Sequence, residues 1–231
     1  MITALRRRLH HGRADSGIAL IELIVSMVVM LIMLTLIARM FAQVTHAAAD
    51  NQSTRSGIGI AGTAMDEITR VVRQGTRVST SQTATEGAVV AGSTATSLSI
   101  DAFVDSVVTP SLAAIAPTRV VFSVDSTGSL IEQRYAGTVA NGYVTFSGSG
   151  TTRTVNGPID VSGPTPLFAY EDGSGNTIAP GSSGLTSAQA LAVASVTVTV
   201  TVDNQLSSGN DPVQLTNEVT MPNIAILNGG Y

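Results

Sequence analysis

The chain has no cysteine, no lysine and no tryptophan. Without cysteine, disulfides, thiolate metal sites, iron–sulfur clusters and cysteine nucleophiles are excluded together, and the fold must stand on packing and strand pairing. Aromatic residues make up 4% of the 231 positions, so a core has to be built from Val, Ile, Leu and Ala. Histidine is nearly absent as well: His10, His11 and His46 complete the set. A histidine metal site or a Ser-His-Asp triad cannot readily be assembled from it. The net charge of −4 argues against sequence-independent nucleic-acid binding, which needs clustered cations. No phosphate-binding loop, paired-carboxylate arrangement or cofactor signature is present. The sequence reads as that of a non-enzyme, with no catalytic residues, no cofactor and no metal.

Charge and hydropathy are unevenly spread. Residues 1–17 carry Arg6, Arg7, Arg8 and Arg13 against Asp15, a net of +3, which leaves −7 for the rest of the −4 chain. A run from Ile18 to Ala38 follows, with Glu22 as its one charged member. As a helix these residues extend about 31 Å, the thickness of a bilayer's hydrocarbon core. Arginines precede the run and Arg39 alone follows it. The positive-inside rule then keeps the N-terminus cytoplasmic and places the C-terminal part outside, as a single-pass protein of the cytoplasmic membrane. A secretory signal ending at Ala47-Ala48-Ala49 is the poorer reading, because the apolar run exceeds a usual signal core.

Beyond the run, Met40, Phe41 and Val44 share a helical face, and Met65, Ile68 and Val72 repeat the spacing. Thr63-Ala64-Met65-Asp66 resembles a helix start, and Arg70, Arg73 and Arg77 a basic helix end on a solvated stripe. Gly57, Gly59 and Gly62 lie between the two stretches, each costing a helix about 1 kcal/mol. One element over 18–76 is the expectation, with a break at these glycines as the alternative. From residue 78 the vocabulary turns to Ser, Thr, Gly and Val. Alternating runs at 98–103, 119–124, 130–135, 143–146, 167–170, 195–202 and 213–221 predict strands. Turns at Asp125–Gly128 and Asp172–Asn176 predict antiparallel hairpins. In 195–202 the valines take one face and the hydroxyls the other, read as exposed. The stretches 79–97 and 147–164 read as surface loops. Glu171, Asp172 and Asn176 offer oxygen ligands for calcium, although their spacing is ordinary turn chemistry.

Glu22 is the residue that does not suit hydrocarbon, where a carboxylate needs a cation or a proton. A cut between Gly17 and Ile18 would create an α-amino group four residues from it, on the same helical face. A neighbouring chain's terminus would serve equally, which would make the pair a device for recruitment and register.

Ser16-Gly17-Ile18-Ala19-Leu20-Ile21-Glu22-Leu23 resembles the prepilin cleavage and methylation motif of type IV pilin-like proteins. Ile18 stands where Phe is usual and Ala19 where Thr is usual. The stretches 65–77, 119–135 and 167–176 look like the larger minor pilins, the W-type subunits of type IV pili and the J-type pseudopilins of type II secretion. The resemblance implies cleavage by a prepilin peptidase after Gly17, N-methylation of Ile18 and charge pairing by Glu22 during assembly with other pilin or pseudopilin subunits. It also implies an α+β, pilin-like fold: a leader at 1–17, a transmembrane and assembly helix at 18–38, its amphipathic continuation at 39–77 and a β-rich extracytoplasmic domain at 78–231. The expected function is to initiate or cap a pilus or pseudopilus. The alternative is a signal-anchored adhesin or binding module that forms no filament.

Overall fold

The structure is a computed structural model that describes residues 15–104, 116–203 and 212–224, with the backbone alone at 15–19. Most of the leader, His10 and His11 among it, lies outside the described residues. The protein is α+β, with one long N-terminal helix, α1 (Asp15–Arg73), followed by antiparallel sheets. The chain divides into two units, one ending at Gln52 and the other beginning at Ser53.

In the second unit the helix continues unbroken through Gly57, Gly59 and Gly62. The expected helix start at Thr63 is therefore not used. Its hydroxyl instead donates to the Gly59 carbonyl one turn back, 2.9 Å away, as mid-helix threonines commonly do. Ser53, Gly57, Ala61, Ala64, Met65, Ile68, Val71 and Val72 form the buried face, the spacing of a 3.6-residue period. Burying Ile68, Val71 and Val72 contributes roughly 1.5–3 kcal/mol each. Ile68→Asp would put a charge at the centre of that face. Along this face the small residues Ser53, Gly57 and Ala61 come first and the larger Met65, Ile68, Val71 and Val72 follow.

One sheet contains β3 (Ser97–Ala102), β4 (Thr118–Val124), β5 (Leu130–Ala140), β6 (Tyr143–Phe146) and β7 (Thr151–Asn156). The order is β3-β4-β5-β6, and β7 pairs with the first half of β5. The register sets Leu98 opposite Phe122 and Ile100 opposite Val120, all four fully buried. The second sheet, β11-β10-β8-β9, joins β8 (Phe168–Asp172), β9 (Thr177–Ile178), β10 (Val193–Val202) and β11 (Val213–Thr220). A two-stranded ribbon, β1 (Val78–Ser79) with β2 (Thr85–Glu86), and a short helix, α2 (Ser187–Ala192), complete the unit. Residues of α1 and both larger sheets form one core, with Phe122, Phe168 and Tyr170 among its largest side chains.

The expected hairpin turns are present. Asp125 accepts from the Thr127 and Ser129 amides at 2.8 and 2.9 Å, and Gly128 adopts the left-handed conformation with φ 79° that this turn requires. Three other readings are corrected. Within 79–97, Ala88 and Val89 are core residues, because the chain there runs along the outer side of β3 and bonds to Ser99 and Asp101. Within 147–164, residues 151–156 are β7, and Ile159 is buried. The hydroxyl face of β10 is not open either: Ser195 and Thr199 are buried, since β10 is a central strand with β8 and β11 on its flanks. Thr199 and Thr216, directly opposite in register, bring their hydroxyls to 3.2 Å.

Asp101 and Arg119 are cross-strand partners. The Arg119 guanidinium donates to both Asp101 oxygens at 2.8 and 2.9 Å and to Glu86 at 2.5 Å. It also lies 4.3 Å from the centre of the Phe146 ring. The Asp101 side chain is completely buried, and the two-pronged pairing offsets that desolvation. Burial pushes its carboxyl pKa up, against the opposing pull of Arg119.

Candidate functional site

The first unit carries the features that the sequence singled out. From Leu20 to Val44, α1 presents its large apolar side chains to its surroundings: Leu23 is 56% exposed, Leu34 53% and Phe41 73%. Every described side chain from Leu20 to Val44 is exposed, on all sides of the helix. The helix is long and apolar enough to cross a membrane. An apolar surface of this extent in water would aggregate, so the segment calls for lipid or for other apolar helices.

Its polar side chains are adapted to such a medium. Ser26 donates to the Leu23 carbonyl at 2.9 Å, Thr35 to Leu31 at 2.7 Å and Thr45 to Phe41 at 2.6 Å. Each hydroxyl proton is thereby satisfied within the helix, which removes most of its cost in hydrocarbon. Glu22 has no such arrangement available to it. Its side chain is exposed on the helix, and the residues from Leu23 to Ala38 on its C-terminal side carry no charge and are apolar except for Ser26 and Thr35, about 24 Å of helix. Gly17 and Ile18 belong to the first turns of the same helix, so Ile18 and Glu22 stand one turn apart.

His46 is exposed on α1, and no group of three or more acidic or histidine side chains is placed to hold a metal among the described residues. In the loop with calcium-type ligands, Asp172 Oδ1 accepts from the amides of Ser174 and Asn176 at 2.8 and 2.9 Å, while Oδ2 accepts from Asn176 Nδ2 at 3.0 Å. These bonds hold its pKa below the ordinary range, that of the Asn176 side chain first. The carboxylate is used to close its own turn.

A charged cluster in the second unit was not legible in the sequence. Glu67 of α1 accepts from Arg70 at 2.5 Å, from Arg153 of β7 at 2.5 Å and from Arg134 of β5 at 3.3 Å. Glu132 of β5, fully buried, pairs with Arg134 at 2.5 Å and with Arg153. Glu67 is held below the ordinary glutamate pKa, first by the Arg70 hydrogen bond and then, against its partial burial, by the charges of Arg70, Arg153 and Arg134. The expected solvated stripe at 70, 73 and 77 is thus corrected at two positions. Arg70 is part of this cluster, and Arg77 Nη2 donates to the Leu191 carbonyl in α2 at 3.0 Å. The alternation Glu132-Gln133-Arg134 on a predicted strand was the available signal, since it sets two charges on the face that also carries Leu130.

The chain matches no known protein-family profile and no curated protein sequence.

Proposed function

We propose that this protein is a type IV pilin-like subunit, a minor pilin or pseudopilin that helps to start or cap a filament. The observation that carries the reading is an unsheltered apolar helix with a single carboxylate, Glu22, one turn from Ile18 in the sequence Gly-Ile-Ala-Leu-Ile-Glu-Leu. A prepilin peptidase cuts after Gly17 and methylates the new amine at Ile18. The subunit rests in the cytoplasmic membrane through residues 18–38, with its β-rich domain outside. On assembly it exchanges lipid for the helices of neighbouring subunits. Both media accept the same side chains, so the exchange costs little hydrophobic energy. Glu22 gives it direction, because a buried carboxylate gains most where a terminal amine faces it.

Mass spectrometry of the intact protein and its N-terminal peptide, extracted from the native membrane, tests the reading. A chain beginning at Ile18, with or without one added methyl group, is the expected result. A chain that retains residues 1–17 in cells with an active prepilin peptidase would overturn it and favour an anchored adhesin.

A further inference from the structure

Arg39 is the one residue with a fixed charge between Glu22 and Asp50, and among the described residues its side chain has no hydrogen-bond or ion-pair partner. Its own helix cannot supply one. Glu22 lies 17 residues back and Asp50 11 residues on, about 26 and 17 Å of helix, whereas side chains on a helix meet three or four positions apart. A guanidinium at the end of a membrane-length run, bordered by hydrocarbon, needs an anion more than it does in open water.

Arg39 also closes a groove. Val28, Leu31, Ile32, Thr35, Leu36 and Arg39 line a volume of about 340 Å³, and their spacing of three and four places them on one face of α1. Thr35 donates its hydroxyl proton to the Leu31 carbonyl, so the guanidinium holds the only side-chain donors along the groove that remain open. The length of the groove matches half a bilayer. Val28 is the midpoint of the 18–38 run. The 11 residues from there to Arg39 rise about 17 Å, against about 15 Å of hydrocarbon in one leaflet. An acyl chain laid along Val28, Ile32 and Leu36 therefore reaches its headgroup at Arg39.

We infer that this face of α1 is a phospholipid site, with Arg39 on the headgroup phosphate and the apolar groove on one acyl chain. The guanidinium fork matches two phosphate oxygens, and the apolar wall below it selects a ligand that brings an anion and a hydrocarbon chain together. The contact fixes the depth of the run, because sliding Arg39 inward would part it from the phosphate. The inference rests on the proposed membrane anchoring through residues 18–38. It does not depend on cleavage after Gly17 or on Glu22.

Native mass spectrometry tests it, on the full chain purified in detergent micelles from cells with an active prepilin peptidase. The probes are dioleoyl phosphatidylglycerol, dioleoylglycerol (the same chains without phosphate) and inorganic phosphate. Phosphatidylglycerol should add saturably, one lipid per chain, and the other two about tenfold more weakly or less. Arg39→Gln should weaken lipid binding about tenfold and Leu36→Ala about threefold. Arg55→Gln, exposed on the same helix, should leave it unchanged. Equal binding of dioleoylglycerol, or undiminished binding by Arg39→Gln, would overturn the inference. A lipid-free dimer that persists in excess phosphatidylglycerol would also overturn it and assign Arg39 to a neighbouring helix. The same spectra separate this site from the pilin reading. A chain that keeps residues 1–17 and shows the Arg39-dependent adduct fails that reading alone, and a chain that begins at Ile18 without the adduct fails this inference alone.

Discussion

A Cβ atom added at Gly57 would lie 3.1 Å from Cγ2 of Val213, whereas one added at Gly59 or Gly62 would meet nothing within 4 Å. The three glycines therefore differ in purpose, although all sit within two turns of the same helix. At Gly57 the missing side chain lets α1 settle against β11. The other two are not required by packing within the described residues.

Gly59→Ala and Gly62→Ala should each stabilise the protein by about 0.5–1 kcal/mol through helix propensity. Gly57→Ala should gain less, because Val213 must yield by a few tenths of an ångström, and Gly57→Leu should destabilise. Thermal unfolding of the full chain in micelles orders the four variants. An equal gain from all three alanines would show that Val213 yields freely.

Gly184 combines a φ of 85° with a Cβ position 2.5 Å from the Gly92 carbonyl group. Backbone atoms cannot move aside as a side chain can. Gly184→Ala should cost about 2–4 kcal/mol, readable as a lower denaturant midpoint with an unchanged slope.

Glu67→Gln should remove about 1–2 kcal/mol at neutral pH, the value of a charge-assisted hydrogen bond discounted for partial solvent access. The pH dependence has a definite sign. Glu67's folded pKa is depressed, so its contribution is present above the unfolded glutamate value of about 4.3 and is lost as pH falls through the lower folded value. The gap between the natural chain and the variant should close toward strong acid in a series of melts. A gap that is constant with pH would assign the cost to packing alone.

Arg119→Leu should cost about 3–5 kcal/mol at neutral pH, because it leaves Asp101 buried without its cation. Here the sign is opposite. Burial has already raised the Asp101 pKa in the folded state. Stability associated with its protonated form is present below the unfolded aspartate value and is lost as pH rises through the folded one. The variant should therefore recover part of its deficit on acidification. Its stability should be compared across the carboxylate range beside that of Glu67→Gln.

Glu22→Ala should leave membrane insertion intact, since it removes the costliest residue of the apolar run. Recovery of the chain in filaments, or cross-linked to partner subunits, should fall by at least tenfold, about 1.4 kcal/mol of lost charge pairing. Fractionation followed by filament shearing reads both quantities. Normal recovery of partners with a normal membrane fraction would count against assembly through Glu22.

The sequence by itself determined what is local along the chain. The apolar run, the carboxylate within it, the arginines before it, the hairpin turns and the valine alternation of β10 depend on neighbours a few residues apart. Their helical and strand periods are written in order. The continuous helix was legible for the same reason, although the glycines left a break as an alternative. Tertiary structure alone decided the rest. Arg153 meets Glu67 across 86 positions, and nothing near either residue distinguishes it from a solvated charge. The burial of Thr199 depends on β10 lying between β8 and β11, and the tightness around Gly57 depends on where β11 passes the helix. Such contacts follow from sheet order, register and the rotation of α1 about its axis. Those quantities are set by the packing of the whole core, and alternation in a single strand does not contain them.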